Sequence, residues 1–204
     1  LNYLAHLFLA QDNADSYFGN LLGDFQKGLD TSLLNCHVKS GLANHILVDK
    51  FTDQHDAVRH SRSLFSPKRK RFSGVALDVL YDHLLIKNWH LFTPVQFELF
   101  KQHSYQLLQQ NLNNMPLGMQ HVVGNIINHD WFAHYQSLHG TTQALDNISK
   151  RIRFNNQFMG IGEEIEDNFN ELEQLFLSFF PELMEHVKYT ALETLSSSLN
   201  NRIT

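Results

Sequence analysis

The chain has 204 residues, of which 43% are hydrophobic and sixteen are Phe, and it carries a formal net charge of −5. That apolar content suits one domain over 1–204 with a single core, and four Pro and ten Gly are too few for a loop-rich sandwich or a disordered chain. The negative charge argues against broad nucleic-acid binding, the lone Cys36 excludes an intrachain disulfide or a multi-thiolate zinc site, and apolar runs such as Leu7 to Ala10 are far short of the roughly 20 residues of a membrane span.

In chain order, Leu1 to Ala10 reads as a short buried helix interrupted by His6, and then as a loop in which Asp12, Asn13 and Asp15 offer helix-capping side chains. Tyr17 to Gly28 sets Asp24 among apolar residues and between Gly19, Gly23 and Gly28, which implies close backbone packing or a tight bend. Gly41 to Asp56 reads as a helix whose His45, Asp49 and Asp53 share one face. A basic loop, Lys68 to Arg71, leads into a helix from Ser73 to Trp89 that carries Asp78, Asp82 and His83.

Further helices are expected over Val95 to Leu112, His121 to His134 and Thr141 to Phe154, the last ending on Lys150, Arg151 and Arg153. Glu163 to Phe180 comes next, its Phe176 to Phe180 cluster assigned to the core, and Pro181 is expected to break it before a closing helix, Glu182 to Leu199. Continuous strand alternation is missing. The expected architecture is therefore an all-α bundle of about eight to ten helices.

Thirteen His supply many neutral ligands or acid/base groups. Within apolar segments they join acids to form one set: His6, Asp24, His45, Asp49, Asp53, Asp78, Asp82 and His83. Carboxylates buried from separate helices need a cation, and a divalent metal meets that need. Each residue also has a plainer reading: His6 as a hydrogen-bonded core histidine, His45 and Asp49 as a helix-stabilising pair, Asp24 as a cap, and Asp78 with Asp82 on a solvated face. His129 and Asp130 form a second-rank pair, for which capping by the acid is as good an explanation as metal binding.

The segments NYLAHLFLA (2–10), GNLLGDFQKG (19–28), His45 and Asp49 with FTDQH (51–55), KRFSGVALDVLYDHLL (70–85) and WFAHYQSLHGTTQALDNISKRIRF (131–154) together resemble the acyl carrier protein phosphodiesterase family. Lys70 stands where the family pattern has Arg, and Leu1 where it begins with Met. The family is in turn a remote relative of the HD-domain phosphohydrolases, so the resemblance implies an HD-domain-like helical core. It also implies a divalent ion, typically manganese, although mixed imidazole and carboxylate ligands admit magnesium or iron(II) as well.

By that resemblance the substrate is holo acyl carrier protein, and the reaction is hydrolysis of the phosphodiester between its serine and 4′-phosphopantetheine by metal-activated water. The expected metal ligands are His6, Asp24, Asp78 and Asp82. His45, Asp49 and His83 complete or orient that shell, with His83 as proton donor. An acidic carrier protein would dock on Arg59, Arg62, Lys68, Arg69, Lys70 and Arg71, and on Lys150, Arg151 and Arg153. No secretory signal is apparent, so a cytoplasmic location is expected. Two other readings stay open: an HD-like phosphohydrolase of nucleotides or other small phosphoesters, and a non-catalytic module that binds carrier protein.

Overall fold

The computed structural model describes residues 1–152 and 157–193, and every regular element among them is a helix. The α-helices are α1 (Tyr3–Phe8), α2 (Ala14–Leu22), α3 (Cys36–Gln54), α4 (Asp56–Ser63), α5 (Ser73–Lys87), α6 (Trp89–Phe92), α7 (Phe97–Asn111), α8 (Leu117–Asn128), α9 (Trp131–His134), α10 (Leu138–Arg151), α11 (Ile161–Asp167) and α12 (Phe169–Thr190). These twelve exceed the expected eight to ten because short helices such as α4 and α6 lack the long apolar period that marks a helix in sequence.

Several boundaries differ from expectation: the helix expected from Gly41 begins at Cys36, the one expected over 163–180 is divided at Asn168 into α11 and α12, and two more differ for plain physical reasons. The helix expected over 121–134 starts earlier, at Leu117, and divides at Asp130, whose φ of 45° is left-handed. Pro181 does not break α12, which runs through it to Thr190. Pro181 lies on the exposed face of the helix, while Phe176, Phe179, Phe180 and Leu183 hold the other face in the core. The ends of two expected helices, at Phe154 and Leu199, lie outside the described residues.

Helix α5 runs through the centre, buried on nearly every side from Ala76 to Leu85. On one side of the molecule α12 contributes an aromatic core in which Phe180 lies 5.0 Å from Phe176, 5.1 Å from Phe92 and 5.8 Å from Phe8, measured between ring centres. On another side α2 and α3 pack backbone to backbone. A Cβ at Gly19 would lie 2.3 Å from Val38 O, and one at Gly41 would lie 2.7 Å from Ser16 O, so neither position has room for a side chain.

That contact is locked by buried polar groups. Asn44 donates to Asn20 Oδ1 at 2.9 Å and to Leu9 O at 3.3 Å, and Asn20 donates to Ser16 O at 3.0 Å. Asn13 and Asn35 cap α2 and α3 through the amides of Ser16 and Val38. The register between the two helices, and so the position of every side chain on α3, is set by these bonds.

Candidate functional site

Helix α1 carries His6, and its N-terminus is anchored from outside. Asn2 makes no side-chain cap. Asp82 of α5 takes that place, accepting from the amides of Leu4 at 3.2 Å and Ala5 at 2.9 Å and from Asn2 Nδ2 at 3.0 Å. Burial pushes Asp82 up to about 7, against the pull of these donors. One turn earlier on α5, Asp78 keeps 38% of its side chain exposed and faces the Leu1 nitrogen at 3.1 Å. The two acids that look equivalent in sequence therefore do different work.

His6, His45 and Asp49 present ligand atoms that all lie within 4.8 Å of one another. His45 Nε2 is 3.1 Å from Asp49 Oδ2, His6 Nε2 is 3.3 Å from Asp49 Oδ1, and the two imidazoles stack with centres 4.1 Å apart. The α3 spacing of four puts His45 above Asp49, while α1 brings His6 against them. Gly23 makes the room: a Cβ there would lie 1.9 Å from His45 Cδ2.

Three features suit this set to a divalent cation. His6 is buried, and neither of its ring nitrogens makes a well-formed hydrogen bond, Asp49 Oδ1 being its one close carboxylate neighbour at 3.3 Å. Burial lowers its pKa to about 3, with Asp49 opposing and His45 adding to the effect, so the ring is the neutral ligand a metal requires. His45 Nδ1 lies 2.7 Å from Asn20 O. Donation to that carbonyl fixes the tautomer and aims the Nε2 lone pair at a carboxylate, an arrangement that needs a proton or a cation between them.

The electrostatics agree. Burial alone would raise Asp49, but His45 and His6 hold it well below the usual carboxylate range. Burial alone would lower His45, but Asp49 raises it. The Leu1 nitrogen sits 3.1 Å from Asp78 Oδ1 and 3.3 Å from Asp49 Oδ1, so the two carboxylates approach one point. Two imidazoles and a carboxylate form a mixed nitrogen and oxygen set, and residues of this chain fit the implied metal.

Beside the cluster opens a cleft of about 480 Å³, which reaches it through Leu1, Asp24 and Asp78 and continues between α1, α5, α8, α9 and α10. His129 and His134 line it, as do Tyr3, Trp131 and Tyr135. Apart from His129, these residues carry no signal of a site in the sequence, although the α10 positions Gly140, Gln143, Ala144, Asn147, Ile148 and Arg151 form a helical stripe of mixed polarity. Asp130 is no cap for α9. Its carboxylate accepts from Lys101 Nζ and Tyr105 Oη, both at 2.8 Å, and so holds the left-handed junction that presents Trp131 to the cleft.

The structure thus gathers His6, His45 and Asp49, with Asp24 and Asp78 on the adjoining cleft wall, and leaves two expected members apart. Asp82 spends both oxygens on α1. His83, expected as proton donor, is buried with Nδ1 2.8 Å from Tyr135 O and lines no part of the cleft, because it points off the opposite side of α5 from Asp78. Asp53, on the same α3 face as Asp49, pairs instead with Arg62 at 2.5 Å.

Of the expected docking cations, Arg59 pairs with Asp56, and Arg69 is held by Glu164 at 3.2 Å and by the carbonyls of Gln157 and Met159, both at 3.1 Å. Lys68, Lys70, Arg71, Lys150 and Arg151 are exposed. Arg153 lies outside the described residues. No helix among the described residues is long and apolar enough to cross a membrane.

No solved structure matches the chain. The family model described as acyl carrier protein phosphodiesterase matches residues 1–183. Proteins named acyl carrier protein phosphodiesterase are similar to it: that of Serratia proteamaculans (strain 568) is 32% identical over 92% of this chain and 98% of the relative. That of Photorhabdus laumondii subsp. laumondii is 30% identical over 91% and 94%, and that of Yersinia pestis 30% over 93% and 98%. The chain belongs to the acyl carrier protein phosphodiesterase family.

Proposed function

We propose that this protein hydrolyses the phosphodiester joining 4′-phosphopantetheine to a serine of holo acyl carrier protein, releasing the apo protein. The observation that carries this reading is the His6, His45 and Asp49 cluster, with a buried imidazole that makes no well-formed hydrogen bond, set at the side of a cleft. The names of its relatives supply the substrate class.

In this reading His6, His45 and Asp49 hold a divalent ion, assisted by Asp24 and Asp78 from the cleft wall. A divalent ion in that place supplies Lewis-acid charge to a phosphoryl oxygen and acidifies water. Its nitrogen and oxygen ligands accommodate manganese or iron(II), and magnesium less well. Asp82 acts at one remove by fixing α1 and with it His6, and His83 holds Tyr135 from behind. The proton for the departing serine oxygen comes from His129 or His134, the imidazoles that line the cleft. Presentation of the ligands from helices is the feature that an HD-domain-like core would share.

The carrier protein is acidic, and Lys68, Lys70, Arg71, Lys150 and Arg151 are the exposed cations to meet it, with Arg69 tying the basic segment to Gln157 and Met159 beyond α10. Turnover of the protein substrate should then fall as salt is added, since screening acts over about 8 Å at physiological ionic strength. The cytoplasm, where such carriers work, is the proposed location.

The test is mass spectrometry of holo acyl carrier protein incubated with the protein and manganese. Loss of the phosphopantetheine mass with the intact chain, but neither with Asp49→Ala nor after chelation, is the expected result. An unchanged substrate under manganese, magnesium and iron(II), with turnover of a nucleotide panel, would replace this reading with that of a small-phosphoester hydrolase.

A further inference from the structure

The cleft has a composition that its neighbouring acid cluster does not explain. Its walls alternate apolar surface with side-chain amides: Val79 and Ile148 on facing helices, and Gln143 and Asn147 one turn apart on α10. Both amide residues are exposed and available to a ligand. The α10 stripe from Gly140 to Arg151 covers eleven residue steps, about 16 Å of helix. It ends on a guanidinium, and the acids Asp24 and Asp78 mark where the cleft meets the metal-binding set.

We infer that this cleft is the binding groove for the pantetheine arm, with Gln143 and Asn147 reading its amide groups and Trp131 covering its methylene segments. The inference rests on the proposed reaction, which places the phosphate at the His6, His45 and Asp49 cluster. A pantetheine chain consists of two secondary amides separated by short hydrocarbon runs. Each amide offers one donor and one acceptor, and a primary amide side chain matches both. Along α10 the groove offers apolar positions interrupted by amides, the pattern that an arm of alternating amides and methylenes would match. The charged phosphate stays at the acid-rich end only when a cation is held there, so an arm lacking phosphate is the cleaner probe of the groove itself.

The test uses pantetheine, without phosphate or added metal, titrated into the full chain and followed by calorimetry and by Trp fluorescence. Saturable binding that perturbs Trp fluorescence is expected in the wild-type chain, with the perturbation absent in Trp131→Phe, which retains Trp89. Gln143→Leu and Asn147→Leu should each weaken binding about fivefold or more, the loss of one hydrogen bond. Both positions are exposed, so the variants should keep the thermal stability of the parent. Absent saturable binding, or unchanged affinity in both variants, would overturn the assignment. Hydrolysis of holo carrier protein is measured beside it: pantetheine binding without hydrolysis supports the groove and sinks the proposed reaction, and hydrolysis without pantetheine binding does the reverse.

Discussion

The aromatic core around α12 and the polar seam between α1, α2 and α3 are both buried, yet they are built on opposite principles. Around Phe180 each ring has a ring for a neighbour and no polar atom is left over. In the seam, glycines bring backbones together, Asn20 and Asn44 satisfy each other, and one imidazole is nonetheless left without a well-formed hydrogen bond. Asn44, the chain neighbour of His45, has its amide donors satisfied, whereas His6 meets only the Asp49 carboxylate, at 3.3 Å and without hydrogen-bond geometry. On the proposed reading, stability sits in the first region and chemistry in the second.

Substitutions in the two regions should therefore separate. Phe180→Ala removes a fully buried ring and should cost about 3–5 kcal/mol of stability by chemical denaturation, while manganese affinity per folded molecule stays as in the parent. Gly23→Ala should do the converse. Its methyl would collide with the His45 ring, so metal affinity and activity should fall on the order of 10–100-fold with a smaller change in unfolding. Equal losses of stability and metal binding in either variant would erase the distinction.

A third, smaller effect lies away from both regions. Burial alone would raise Glu164, but Ser66 and Arg69 hold its carboxyl below the ordinary 4.5. A depressed acid contributes stability above its unfolded pKa and loses it as pH falls through the folded one. Wild-type stability should thus decline below about pH 4.5, and Glu164→Gln should flatten that part of the profile by no more than about 1 kcal/mol, since the pair is partly solvated. A profile unchanged by the substitution would mean that this contact contributes nothing.

Much of the fold and part of the site are legible in the residues. Helical periodicity reveals the all-α class, and Gly19 and Gly23 announce close contact before the partner is known. The pairing of His45 with Asp49 comes from a spacing of four. What sequence cannot separate is Asp78 from Asp82, because the difference lies in where the N-terminus of α1 comes to rest, a nonlocal fact. The placement of His83 is hidden for the same reason: adjacency to Asp82 along the chain turns it by about 100° around the helix, away from the cleft. The cleft residues of α8 to α10 stay hidden because their stripe is neither apolar enough to read as core nor polar enough to read as surface.

The most direct test of the central claim is manganese binding to the purified chain, by calorimetry and by bound-metal analysis, beside His6→Ala. The account predicts stoichiometric uptake by the parent and loss of at least about tenfold in affinity in the variant, with its helical content intact. A parent chain that takes up no divalent ion, or a variant that binds as tightly as the parent, would contradict it.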